Sequence, residues 1–287
     1  MNRLNTVCHD ALLDNKAALI IGYAEDRHHN LRPFIAHKPE DAEKMAFGHS
    51  AVNNLAVYIH RYRNRVDGKI GIVVKPCDLK AVTALIQENR IKRDDLYIIG
   101  VNCSGVVKDA TVEFSKDNTQ IKCRTCASKT PDYFDEIAEE SVEFELPDDT
   151  AAALLEQVGK MSAEERMDFW SSEFEKCIKC YACREVCPMC YCDQCIVDKT
   201  EPRWVESSST TRANFAWNII RAFHQAGRCI GCGECDRVCP ADIPLSLLNR
   251  KMGMVAFKEF GYRHGTDMNA PTLIGTFSNS DHEEFIR

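Results

Sequence analysis

Sixteen of the 287 residues are cysteine, and eleven of them lie between Cys177 and Cys239. Cys177, Cys180, Cys183 and Cys187 are followed by Pro188, and Cys229, Cys232, Cys235 and Cys239 by Pro240. Each run reads Cys-x2-Cys-x2-Cys-x3-Cys-Pro. Three cysteines on a tight loop reach three corners of one cubane, and the fourth, heading a helix that points away, reaches the other cluster. The expected ligands of one [4Fe–4S] cluster are therefore Cys177, Cys180, Cys183 and Cys239. Those of the second are Cys229, Cys232, Cys235 and Cys187. Zinc sites use pairs of cysteines rather than triplets closed by Cys-Pro. Gly231 and Gly233 would let backbone amides approach the sulfurs, and Ile178 and Ile230 are expected to shield the clusters from water.

Residues 176–252 resemble the bacterial dicluster ferredoxin domain. One departure is the 41 residues between Cys187 and Cys229, which must carry something of their own. This insert brings Cys190, Cys192 and Cys195. They could give three ligands to a further metal, with Cys8 available as a fourth, or they could be packed thiols. One of them could also replace Cys187 as the crossing ligand.

The first half offers a sparser set. Cys77 follows a strand at 69–74, and Cys103 follows a strand at 96–101. Asp78 is expected to cap a helix that runs to 90 between them. That is a βαβ unit, with parallel strands and a right-handed crossover, so both carboxyl ends share one sheet edge. Open α/β sheets build their sites at that edge. The helix N-terminus after Cys77 would favour a thiolate. Cys123 and Cys126 add a compact pair, making four ligands for a third [4Fe–4S] cluster. The competing reading is a buried Cys77 and Cys103 plus a structural or redox Cys-x2-Cys. Lys122, Arg124 and Lys129 would offset the thiolates' charge, and as a basic rim they could steer an acidic partner or anionic cofactor.

The segments from Gly68 to Asp78, from Ile99 to Gly105, and Cys123-x2-Cys126 resemble the beta subunit family of coenzyme F420 hydrogenase and formate dehydrogenase, over residues 17–135. The resemblance implies a flavin, FAD or FMN, beside a cluster, and electron traffic with a deazaflavin or another subunit. The two halves together resemble iron–sulfur subunits of hydrogenase, formate dehydrogenase and heterodisulfide reductase-linked complexes of anaerobes. The implied partners are redox subunits of those types or a flavoprotein. No Gly-x-Gly-x-x-Gly follows a strand and no flavin fingerprint is visible, so a flavin rests on the resemblance alone. No nucleophile–base pair stands out, and no catalytic residue is assigned.

Around these motifs the pattern predicts a buried strand at 17–24, a helix at 50–63, an acidic surface connection at 132–149 and helices at 150–170 and 214–226. The tail after Tyr262 is expected to wrap over a neighbour. Trp204 and Trp217 are read as core or cluster cover, and His28-His29 as a solvated turn. The fold class is an α/β domain with a partly parallel sheet (residues 1–165), then a mainly helical ferredoxin-like dicluster domain (166–262) and a tail (263–287). With 36 Lys and Arg against 43 Asp and Glu, the chain stands at −7, which argues against a nucleic-acid partner. The longest apolar run, 17–24, falls far short of the ~20 residues a membrane span takes. No signal-peptide order is seen, and the expected location is the cytoplasm, where thiols stay reduced. These features point to an electron-transfer subunit. A flavin-containing reductase subunit is the alternative, and a docking module whose clusters serve folding only is a third reading.

Overall fold

The computed structural model describes residues 2–124, 126, 128–138 and 150–279. Its first half is a five-stranded sheet in the order β2-β1-β3-β4-β5. β1 (Leu19–Glu25) pairs antiparallel with β2 (Leu31–Ala36) and parallel with β3 (Ile70–Val74). β4 (Leu96–Gly100) and β5 (Glu136–Ile137) continue in parallel. The β3 sequence Ile-Gly-Ile-Val-Val is buried throughout, as in a parallel strand covered on both faces. Gly71 is required there, because a Cβ would stand 2.6 Å from Ile20 Cγ1 and 2.9 Å from the Leu19 carbonyl.

β3 and β4 are parallel with a helix between them, as the sequence predicts, but the cap of that helix differs. After α1 (Arg3–Leu13), helix α2 (Pro76–Gln87) starts one turn earlier, with Lys75 as N-cap. Pro76 at the first helical position has its backbone angle already set for a helix. Asp78 instead sits at the third position, where its carboxylate accepts the Lys75 N–H (3.1 Å) and Nζ (2.9 Å). The helix expected at 50–63 shrinks to a 3-10 turn, Leu55–Tyr58, and one α-turn, Ile59–Tyr62. Asn54 caps it by accepting from Ala56 N, and the Asn53 carbonyl is taken by Lys75 Nζ (2.7 Å). The acidic connection contains β5, and its residues 139–149 lie outside the described residues.

In the second half the expected helix at 150–170 is two, α3 (Thr150–Lys160) and α4 (Ala163–Glu175). Ser162 restarts the chain with a capping box to Glu165. α5 (Thr211–His224) lies in the insert, and α6 (Leu245–Phe260) follows the second cysteine run. Trp170, Phe174, Trp217 and Leu247 form a core that includes Cys183 and Cys235. Trp204 is not part of it, being 65% exposed. Met189, Cys187, Tyr191 and Ile230 pack instead on the first core, so the halves interlock.

The tail lies over α2, as expected. Gly265 N–H donates to Gln87 Oε1 (2.8 Å), and Gln87 Nε2 donates to the Ala270 carbonyl (3.2 Å). Gly265, at φ +75, has no space for a Cβ, which would fall 2.5 Å from the Lys80 carbonyl. Residues 280–287 of the tail lie outside the described residues. Among the described residues no helix is long and apolar enough to cross a membrane.

Candidate metal centres

The repeat of the two cysteine runs is also a repeat of backbone shape. Lys179 (φ 53) and Tyr181 (φ 58) in the first run match Gly231 (φ 73) and Gly233 (φ 65) in the second. All four are left-handed, a state that costs a residue with a Cβ about 1–2 kcal/mol. The fold holds two non-glycine residues in it, as strained backbone at functional sites often is. The turn sets the amides toward sulfur: Gly231 N–H donates to Cys229 Sγ (3.4 Å).

The thiols group across the repeat. Cys183 lies in the field of Cys177, Cys239 and Cys180. Cys232 and Cys235 each lie in the field of Cys187 and Cys229. These fields link the two runs, Cys239 with the first triplet and Cys187 with the second. Burial pushes the Cys183 and Cys229 thiols up to about 11, so without a metal they keep their protons at neutral pH. Such buried thiols ionise when a cation displaces the proton. Ile178 does not shield its quartet, being 63% exposed. Ile230 does turn inward, because its loop packs on the first core.

Cys77, Cys103, Cys123 and Cys126 converge on one cavity of about 90 Å³, together with Ile230, Gly231 and Cys232 of the second run. The sheet explains this: Cys77 and Cys103 leave the carboxyl ends of the adjacent strands β3 and β4. Val106 N–H donates to Cys123 Sγ (3.3 Å), and Cys126 Sγ donates to the Ser128 carbonyl (3.3 Å). Burial raises the Cys77 thiol and takes Cys103 to about 11, outweighing the helix N-terminus that the sequence suggested would favour a thiolate.

The charges nearby are arranged differently from the expected rim. Lys129 is exposed, but the Lys122 side chain is turned in, bonded to Glu234 and to the Val52 carbonyl. Glu234 also accepts from Arg237 (2.7 Å). Sequence reasoning missed Lys75, which is fully buried with Tyr23 Oη at 2.7 Å and Asp78 at 2.9 Å. Its signal was the Lys75-x-x-Asp78 spacing at a helix start.

Cys190, Cys192 and Cys195 line another cavity, with Arg221 and Gln225. Among the described residues no three His, Cys, Asp or Glu side chains close on a point that could hold a single metal ion. Cys190 hydrogen-bonds to Cys187, and this bond lowers the Cys187 thiol and raises that of Cys190. Gln225 joins the pair, donating from Nε2 to Cys190 (3.4 Å) and accepting from Cys187 (3.9 Å). Cys192 is exposed. Cys8 is not at this cavity; it is fully buried in α1 within the first core.

The family model for the 4Fe-4S dicluster domain matches residues 173–243. This segment is similar to that domain. The rest of the chain also has similar proteins. The F420-dependent formate dehydrogenase subunit beta of Methanocaldococcus jannaschii is 25% identical over 351 aligned positions, covering 92% of this chain and 91% of that protein. The F420-dependent formate dehydrogenase 1 subunit beta of Methanococcus maripaludis is 25% identical over 297 positions, covering 73% and 76%. The sheet half and the dicluster domain are thus both spanned by the similarity to the first of these proteins.

Proposed function

We propose that this chain is an iron–sulfur electron-transfer subunit that carries single electrons between redox subunits of a larger oxidoreductase complex. The observation that carries this reading is the cavity where Cys232 of the dicluster domain meets Cys77, Cys103, Cys123 and Cys126. Cys177, Cys180, Cys183 and Cys239 would hold one [4Fe–4S] cluster, and Cys187, Cys229, Cys232 and Cys235 the second. Cys77, Cys103, Cys123 and Cys126 would hold a third, one wall away from the second. When bound, such clusters take up and give back one electron each. Burial raises the Cys77 thiol, and the positive charges of Lys75 and Lys122 beside it oppose that rise in part.

The partners follow from the similar proteins, whose names make them beta subunits of formate dehydrogenases. A subunit of that type, or of a hydrogenase or heterodisulfide reductase, would stand at each end of the path. The flavin implied by the family resemblance needs another place than the cysteine cavity. Pockets that enclose organic ligands run to about 300–1,000 Å³, against about 90 Å³ here.

The test is anaerobic loading of the full chain with iron and sulfide. About twelve irons per chain are expected, all in centres reducible by dithionite, without turnover of formate or hydrogen by the chain alone. About eight irons would remove the third cluster. A lone chain that oxidises formate, hydrogen or a reduced deazaflavin would replace this reading with an enzyme.

A further inference from the structure

The insert between the two cysteine runs carries helix α5, and one of its faces is polar yet buried. Asn214, Asn218 and Arg221 are buried on it, and Gln225 continues the row at its C-cap. The steps of four, three and four residues keep all four on one side of the helix. Each of the outer members meets a cysteine segment. Asn214 Nδ2 donates to the Cys177 carbonyl (2.6 Å), and Gln225 bonds Cys187 and Cys190. Asn218 braces the row by donating to the Asn214 carbonyl (2.9 Å).

Arg221 stands at the centre and is 4% exposed. Its Nη2 donates to the Cys183 carbonyl (3.0 Å), and its Nε has no hydrogen-bond partner among the described residues. Its charge acts on Cys183 of the first quartet and on Cys187 and Cys235 of the second, as well as on Cys190. The carboxylate that feels it, Asp236, is itself engaged by the Ser246 N–H (2.7 Å). A buried cation persists only where something nearby balances it. A cubane with four thiolates carries net negative charge, and thiols of both quartets lie in the field of Arg221.

We infer that Arg221 is a positioning residue shared by the two clusters of the dicluster domain: its fixed charge and free Nε–H face cluster sulfur and raise both reduction potentials. The inference rests on the two-cluster reading above. Hydrogen bonds to sulfur and local charge are the protein's means of setting such potentials. A single cation between two centres moves both in the same direction, so the pair stays matched for electron exchange while its common potential is set by one side chain. The 41-residue insert then has a role of its own, which is to bring this face against both runs.

The experiment is a redox titration, followed by electron paramagnetic resonance, of the iron-loaded full chain and its R221K and R221Q variants, with iron and sulfide counted first. R221Q is expected to make reduction of both dicluster centres at least tenfold less favourable, about 59 mV for one electron. The centre held by Cys77, Cys103, Cys123 and Cys126 should stay within twofold. R221K keeps the charge and should recover most of the shift, which a role in packing alone would not produce. Unchanged potentials in an R221Q chain with full iron would overturn the inference and leave the cluster reading intact. A wild-type chain without the dicluster iron would overturn both. If R221Q takes up no iron, the titration is read on Q225E, whose carboxylate neutralises the guanidinium in place. A fall of both dicluster potentials supports the inference; no fall, or a fall of the second cluster's potential alone, overturns it.

Discussion

Glu88 offers a quantitative test of how the two halves are joined. It lies at the end of α2, and its side chain is 7% exposed. Arg228, just before the second cysteine run, donates to it from Nε (2.7 Å) and Nη2 (2.8 Å). Tyr191 of the insert donates its hydroxyl, and His264 of the tail lies 3.3 Å away. Burial alone would raise this carboxyl, but these donors hold it at about 2 against an ordinary 4.5. That difference corresponds to about 3 kcal/mol, at about 1.4 kcal/mol per pKa step. Removing one partner of a buried pair costs about 3–5 kcal/mol, so the two routes agree.

E88Q should therefore favour local opening by roughly 150-fold at pH 7. The assay is native-state hydrogen exchange, read together at the end of α2, around Arg228 and at residues 264–270. Because the folded pKa is depressed, the carboxylate's contribution is complete above about pH 4.5 and is lost as the pH falls through about 2. A change under tenfold, or one confined to the tail, would refute the claim that this one carboxylate ties three segments together.

C239S should damage the cluster bound by Cys177, Cys180 and Cys183, seen as loss of that centre's signal; loss of the Cys229 centre instead would remove the crossed arrangement. C123S/C126S should remove about four of about twelve irons, measured by iron and sulfide content. G233A should cost about 3 kcal/mol or more, since it adds left-handed strain and pushes Lys122 away from buried Glu234. G231A meets nothing within 4 Å and should cost only about 1–2 kcal/mol. Chemical denaturation of the iron-loaded proteins compares the two, and equal losses would mean that the contact with Lys122 does not matter.

What the sequence made legible is what is local. Cysteine ligands must be spaced to fit one cluster, so both runs could be read from a few residues. The βαβ unit was legible because β3 and β4 are apolar runs separated by a helical period, and it placed Cys77 and Cys103 on one edge. The helix at 50–63 was misjudged because Asn53 and Asn54 spend their polar groups on Lys75 and a cap. Lys122 read as a surface charge because its partner, Glu234, lies 112 residues away. Trp204 read as core because its indole gives no local sign of facing water, whereas Trp217 has the helical neighbours that bury it. The polar row of α5 has a plain helical period, but only the fold shows that cysteine loops cover it.

The interlocking of the halves bears on whether the ferredoxin-like part can be treated as a movable cassette. Ile230, Tyr191 and Cys187 complete the core of the other half, and Lys122 fills the space where a side chain at Gly233 would stand. Excised at the sheet boundary, the cysteine-rich part would present those apolar groups to water and leave Glu234 without its lysine. The sheet half alone would lose the wall that Cys232 and Ile230 give to its cysteine cavity. Inheritance and engineering alike must then move the two as one piece. Substitutions at Gly233 or Ile230 are constrained by a surface encoded more than a hundred residues earlier.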